Sequence, residues 1–152
     1  MRDDLIRAIL DCGVDDLRML DDSEADMFEV IEHMRFEGME LTLNGIMGEV
    51  FREGIHRLNE AVKAFRADLE REEQAGEMTE ASYEQLQKLR RYNINPSDDF
   101  GYYTNCQDTH LYFNPQSDRD SSYTEQKREV YEELFEQELQ DLEDYTGFSI
   151  QW

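Results

Sequence analysis

The sequence has few basic residues and few cysteines, and both shortages exclude classes of protein. Only 15 residues are Lys or Arg against 37 Asp or Glu, so the formal net charge is −22. A surface of this sign repels nucleic acid and is not attracted to anionic membranes. Two cysteines are too few for the disulfide framework of a small secreted protein, which favours a reducing compartment.

Long apolar runs are also missing. No uncharged run approaches the roughly 18 residues that a membrane-spanning helix requires. Arg2, Asp3, Asp4 and Arg7 place charges near the start of the chain, so no apolar core of a signal peptide is present there. These features predict a soluble protein with a cytoplasmic location.

Familiar catalytic and metal-binding motifs are missing as well. The chain has no nucleophile elbow, no phosphate-binding P-loop and no C-x-x-C pair. Glu53 and His56 form one E-x-x-H unit of the kind found in di-iron helical bundles, but Glu29 and His33 are four residues apart, so a second unit is incomplete. We therefore expect no metal site, no cofactor and no catalytic residues, and hence a protein that is not an enzyme.

The apolar residues that are present follow helical spacing. In the centre of the chain they lie alternately four and three residues apart, at Phe51, Ile55, Leu58, Val62, Phe65 and Leu69. This apolar seam predicts a long helix that begins near Asn44. The seam would also fit a coiled coil with a second chain, but it covers fewer than three heptads, and we expect it to form intramolecular core instead.

Glycine and threonine positions predict where other helices begin and end. A first amphipathic helix is predicted over 2–12, and a second ends at Gly38. Gly76 lies in a turn after the central helix, and Thr79 caps a further helix that runs to about Tyr92. The central helix and this next helix therefore form an αα-hairpin.

The amino-acid composition changes in the last third of the chain. Residues 93–122 contain both prolines, Pro96 and Pro115, among Asn, Ser and Tyr, so regular helix stops there. The aromatic content of this segment predicts a small β insertion or a packed irregular loop. A final helix runs to Tyr145, and the alternating residues 148–152 predict a short strand or an extended tail.

These elements predict a mainly α fold in a single helical domain, because 152 residues suffice for one domain with a core of its own. We expect four to five helices with an aromatic-rich irregular or small β insertion. In chain order the parts are acidic N-terminal helices over 1–43, the central αα-hairpin over 44–92, the insertion over 93–122, and an acidic C-terminal helix and tail over 123–152.

The acidic residues are concentrated near both ends of the chain. The net charge is −10 over 1–50, −3 over 51–100 and −9 over 101–152. The N-terminal acids lack the spacing of a calcium-binding loop, and those of the last helix form a stripe opposite its apolar face. The predicted partner-binding residues are Asp11, Asp15, Asp16, Asp21, Asp22, Glu125, Glu129, Glu132, Glu133, Glu136 and Glu143.

In its small size, extreme acidity and lack of an enzyme motif, the chain resembles the small acidic inhibitors of phages and mobile elements, which include DNA-mimicking antirestriction and anti-CRISPR proteins. The resemblance is one of composition. It implies an inhibitor that occupies the basic nucleic-acid groove of a bacterial defence nuclease or CRISPR effector, in the host cytoplasm if a phage encodes it. The alternative is an acidic helical chaperone or assembly partner that dimerises and binds a client protein. Both interpretations predict a protein partner, without direct contact to nucleic acid or membrane, and leave a homodimer open.

Overall fold

A computed structural model describes Ala25 and residues 27–39, 43–104, 109–115 and 121–152. Within these residues the six helices are α1 (Met27–Phe36), α2 (Leu43–Ala75), α3 (Glu80–Arg91), α4 (Pro96–Asp99), α5 (Ser121–Leu134) and α6 (Glu136–Thr146). The three strands are β1 (Phe100–Thr104), β2 (Thr109–Phe113) and β3 (Ser149–Gln151). The predicted mainly α class with a small β insertion is thus confirmed for the described residues. The helix predicted over 2–12 lies outside them.

The long helix α2 forms the centre of the described fold, as the apolar seam predicts. Ile55, Leu58 and Val62 are buried, and α2 packs against α1, α3 and α6. Phe65, on the same seam, meets the ring of Phe135 edge to face, with 5.3 Å between the ring centres. The seam therefore forms intramolecular core.

The hairpin of α2 and α3 follows the predicted boundaries. Gly76 has a φ of 71°, which costs little only for glycine, and the Thr79 hydroxyl caps α3 by accepting the Ser82 N–H at 3.0 Å. Arg90, in the last turn of α3, donates two hydrogen bonds of 3.1 Å to Glu73 of α2 and thereby lowers the pKa of that carboxyl. A local cap and an ion pair thus help to hold the two helices of the hairpin together.

The small sheet joins the insertion to the C-terminal tail. β1 and β2 are antiparallel, with Tyr102 opposite Leu111, and β3 runs parallel to β2 with Ile150 opposite the same Leu111. Leu111 is fully buried at the centre of the sheet. The short terminal strand is therefore confirmed. The one-turn helix α4 is an addition to the prediction, and it begins at Pro96, whose fixed φ suits the first helical position.

The prediction of one continuous C-terminal helix is wrong, because α5 and α6 are separated at Phe135. This residue has φ −130° and ψ 29°, outside the helical region, and its side chain is buried. Neither proline nor glycine lies at the break. The Phe135 ring instead packs between Phe65 and Tyr131, so core packing overrides local helix propensity here. This break and the short α4 bring the described helices to six, above the expected four to five.

Candidate partner-binding surface

The predicted partner-binding residues fall into two sets. The first set, Asp11, Asp15, Asp16, Asp21 and Asp22, lies outside the described residues. The second set consists of six glutamates on α5 and α6, all of them exposed except the half-buried Glu143. The geometry of this second set decides how much uncompensated charge the C-terminal helices present.

Three of these six glutamates have no basic neighbour in the described part of the chain. Glu125, Glu129 and Glu136 are exposed, and no described Lys or Arg lies within 4.0 Å of their carboxylates. Glu125 and Glu129 are one turn apart on α5, about 6 Å along its axis. Their charges therefore face solvent uncompensated on one side of the helix.

The other three glutamates already have partners within the chain. Glu132 accepts a hydrogen bond of 3.0 Å from Arg128, and Glu133 pairs with Lys88 of α3 at 2.9 Å. Glu143 accepts the backbone N–H of Ile150 at 3.0 Å and so holds β3 in place. The stripe predicted from the helical wheel is therefore only partly available to a partner.

Two aspartates on α6 add charge that the predicted set does not include. Gln137 donates to Asp141 at 2.9 Å, and Gln140 donates to Asp144 at 3.0 Å, each pair four residues apart. An amide donor orients a carboxylate without neutralising it. Asp141 and Asp144 are therefore fixed in position and keep their negative charge.

A buried polar cluster links α4 to α5. Lys127 Nζ lies 2.6 Å from Asp99 Oδ1, and the Tyr131 hydroxyl donates to Asp99 Oδ2 at 2.5 Å. The backbone N–H of Asn95 donates to the same Oδ2 at 3.1 Å. The side chains of Asp99 and Lys127 are 1% and 6% exposed, so both charges are removed from water and each compensates the other. The cluster is closed to ligands and acts as a structural clamp.

Burial, and next the nearby charge of Asp99, raise the pKa of Tyr131 far above its ordinary value of 10. The folded protein thus retains a proton that the unfolded chain loses above about pH 10, and stability contributed by this group is lost as pH rises beyond that point.

We expect the free energy of unfolding, measured with urea between pH 9 and 11, to fall above about pH 10. Tyr131 should contribute up to about 1.4 kcal/mol of this decline per pH unit. Tyr131→Phe removes the hydroxyl and should flatten the decline. The control Tyr112→Phe changes a tyrosine that is 38% exposed and should leave the decline in place. Equal declines in Tyr131→Phe and the wild type would contradict the assignment.

The cleft between α1 and α2 contains the histidines that the sequence singled out. It has a volume of about 510 Å³, and Glu29, His33, Glu53 and His56 line it. The buried Glu49 also lines the cleft, where it is paired with Arg52 and lies 3.6 Å from His33 Nε2. Across the described residues no three His, Cys, Asp or Glu side chains come close enough together to hold a metal ion.

A second groove runs between α2 and α6. It has a volume of about 350 Å³, and its lining includes apolar side chains of both helices together with Glu138 and Asp141 of α6. At one side the guanidinium of Arg57 lies over the Tyr145 ring, 4.0 Å from its centre. This groove combines an apolar surface with carboxylates that have no described basic partner.

Three polar residues that matter here were not predicted from the sequence, although one feature of the sequence marks all three. On a helical wheel at about 100° per residue, Lys127, Glu138 and Asp141 fall among the apolar positions of the last helix. A charged residue at such a position must either find a buried partner or border a groove. Lys127 pairs with the buried Asp99, and Glu138 and Asp141 border the groove between α2 and α6.

No protein-family model, curated protein or solved structure matches the chain. None of the helices in the described part of the chain is both long and apolar enough to cross a bilayer.

Proposed function

We propose that the protein is an acidic inhibitor that binds the basic nucleic-acid groove of a bacterial defence nuclease or CRISPR effector as a nucleic-acid mimic. The observation that carries the proposal is the set of exposed carboxylates on α5 and α6 without described basic partners, Glu125, Glu129, Glu136, Asp141 and Asp144. A fold that leaves so many charges uncompensated retains self-repulsion, which binding to a basic surface would relieve.

The spacing of these charges supports the proposal. Two acids one helical turn apart, such as Glu125 and Glu129, are separated by about 6 Å along the axis. In duplex DNA, phosphates recur at about 3.4 Å of axis per strand, so every second phosphate is about 7 Å away. One face of α5 thus resembles a sparse phosphate strand, and the carboxylates of α6 continue the negative surface beyond the break.

Binding by charge mimicry has a clear signature. Affinity for a target nuclease or CRISPR effector should fall steeply with added salt, because exposed charges are screened beyond about 10 Å at 0.1 M. Duplex DNA or guide RNA should compete for the same site. We would measure both by biolayer interferometry against a panel of purified nucleases, CRISPR effectors and polymerases. Absence of binding to the whole panel at low salt, or binding without nucleic-acid competition, would overturn the proposal.

Charge reversal on α5 tests which surface steers association. Glu125→Lys with Glu129→Lys should slow association with the target about tenfold or more, with little change in dissociation. Stability should change by only about 0.5 kcal/mol per site. The matched control, Glu77→Lys with Glu80→Lys, makes the same charge change at two exposed residues near the turn of the hairpin. Equal slowing in both variants would show a nonspecific effect of net charge.

The alternative, a chaperone or assembly partner that dimerises and binds a client, is favoured by one observation. Tyr103 and Tyr112, which are 50% and 38% exposed, lie on the same face of the small sheet. Such a face fits an apolar client segment. Under this alternative, light scattering should report a dimer, and binding should persist at high salt. A monomer with salt-sensitive binding would favour the inhibitor.

A further inference from the structure

We infer that the groove between α2 and α6 binds an arginine side chain of the protein partner. The inference rests on the proposed function and extends it. The face of α5 steers a basic partner, whereas this groove binds one arginine side chain of that partner.

The shape of the groove is set by small residues on α2. A Cβ on Gly54 would lie 2.8 Å from Thr146 Cγ2 and 2.9 Å from Leu142 Cδ1, so the two helices touch at this end. Farther along the same face, Ala61 fills less space than the larger side chains of the seam, and a groove of about 350 Å³ lies above Leu58, Ala61 and Leu142. The floor is therefore apolar and open to solvent.

The charge of the groove comes from α6. Glu138 and Asp141 are three residues apart and project from the same side of the helix. Neither is paired with a described Lys or Arg, and the Gln137 amide that donates to Asp141 leaves its charge intact. Two carboxylates beside an apolar floor complement a cation that carries an aliphatic stem.

A separate observation shows that the groove accommodates a guanidinium. The groove already contains one guanidinium, that of Arg57, which stacks on the Tyr145 ring at 4.0 Å. Arg57 is directed toward Glu53, with 3.4 Å between Nε and Oε1, so its hydrogen bond goes to α2 and not to the acids of α6. The groove thus accommodates a guanidinium by stacking while Glu138 and Asp141 remain available for a second one.

Arginine fits this site better than lysine. Its methylene groups would cover the apolar floor while its charged end reaches the carboxylates. The planar guanidinium presents several donors at once and pairs with carboxylates in a bidentate manner, whereas the lysine ammonium is a compact, strongly hydrated charge.

The test uses the full chain and a hexa-arginine peptide as the probe, at about 0.15 M salt to screen long-range attraction. In NMR titrations of isotopically labelled protein, the peptide should shift the amide signals of residues 54–61 and 138–145 first. Glu138→Gln with Asp141→Asn should weaken peptide binding about 30-fold or more, because two charge-assisted contacts are lost. The matched control, Glu77→Gln with Glu80→Gln, removes the same charge from two exposed residues with the same three-residue spacing, and it should weaken binding less than about fivefold.

A second variant changes shape and leaves charge untouched. Ala61→Leu fills the floor of the groove with a good helix former and should reduce hexa-arginine binding about tenfold while the circular dichroism spectrum stays unchanged. A hexa-lysine peptide should bind several-fold more weakly than hexa-arginine to the wild type.

Three results would overturn the inference. The amide signals of α5 could shift as much as those of the groove, the two neutralising double variants could lose the same peptide affinity, or a folded Ala61→Leu protein could bind the peptide as tightly as the wild type. Failure of the proposed function is distinguishable from these results. If no nuclease or effector binds, mimicry is wrong, but the peptide titration still tests whether the groove binds arginine. If a target binds and Glu138→Gln with Asp141→Asn has no effect on it, the groove inference is wrong and mimicry stands.

Discussion

Leu58→Asp should unfold the protein. Leu58 is 2% exposed at the middle of the apolar seam of α2, so the substitution removes a buried side chain, at about 2–5 kcal/mol, and introduces a charge with no partner in the core. Together these costs are comparable to the whole stability of a typical domain, about 5–15 kcal/mol. Far-ultraviolet circular dichroism should show loss of helix without denaturant.

The control for this prediction adds the same charge to the same helix. Ala64 is exposed on α2, and Ala64→Asp should cost only about 1 kcal/mol, from lower helix propensity and surface repulsion. A folded Leu58→Asp protein with native stability would mean that the seam is not the core, and a sheet-dominated spectrum of the wild type would exclude the helical fold altogether.

Lys127→Met should destabilise the protein by about 3–5 kcal/mol, because it leaves Asp99 as a buried charge without its cation. Methionine keeps much of the aliphatic stem, so lost packing contributes little. Tyr131 and the Asn95 N–H still donate to Asp99, but neither supplies a positive charge. Urea unfolding at pH 7 measures the loss.

Two further variants separate the buried ion pair from a general effect of lysine removal. Adding Asp99→Asn to Lys127→Met should recover part of the lost stability, since a neutral pair leaves no unpaired charge. Arg128→Met removes the neighbouring base, whose partner Glu132 is exposed, and should cost less than about 1 kcal/mol. Equal losses in Lys127→Met and Arg128→Met would contradict the clamp.

Much of the fold was predictable because its determinants are local. The helix α2 and the turn at Gly76 follow from apolar spacing and from a residue that adopts positive φ at little cost. The cap at Thr79 depends on a hydrogen bond to a residue three positions away. The break at Phe135 was not predictable in this way, because it depends on packing against Phe65, which lies far away in the sequence.

The same distinction between local and distant determinants holds for the candidate site. Sequence placed exposed acids on the last helices, and Glu125, Glu129 and Glu136 are indeed exposed. Sequence could not tell which acids are compensated, because Glu133 finds Lys88 on another helix and Glu143 holds the terminal strand. Glu138 and Asp141 were not predicted, although they fall among the apolar positions of the helical wheel, because their groove forms only where α2 packs beside α6.

The sequence by itself determined the net charge, the helical class and the central apolar seam, because composition and residue spacing depend only on the order of residues in the chain. Tertiary structure alone decided which charges are free, which are paired and which are buried. Asp99 and Lys127 are 28 positions apart in the sequence and 2.6 Å apart in space. The free energy of a charge depends on its neighbours and on its distance from water, and both are fixed only when distant segments pack together.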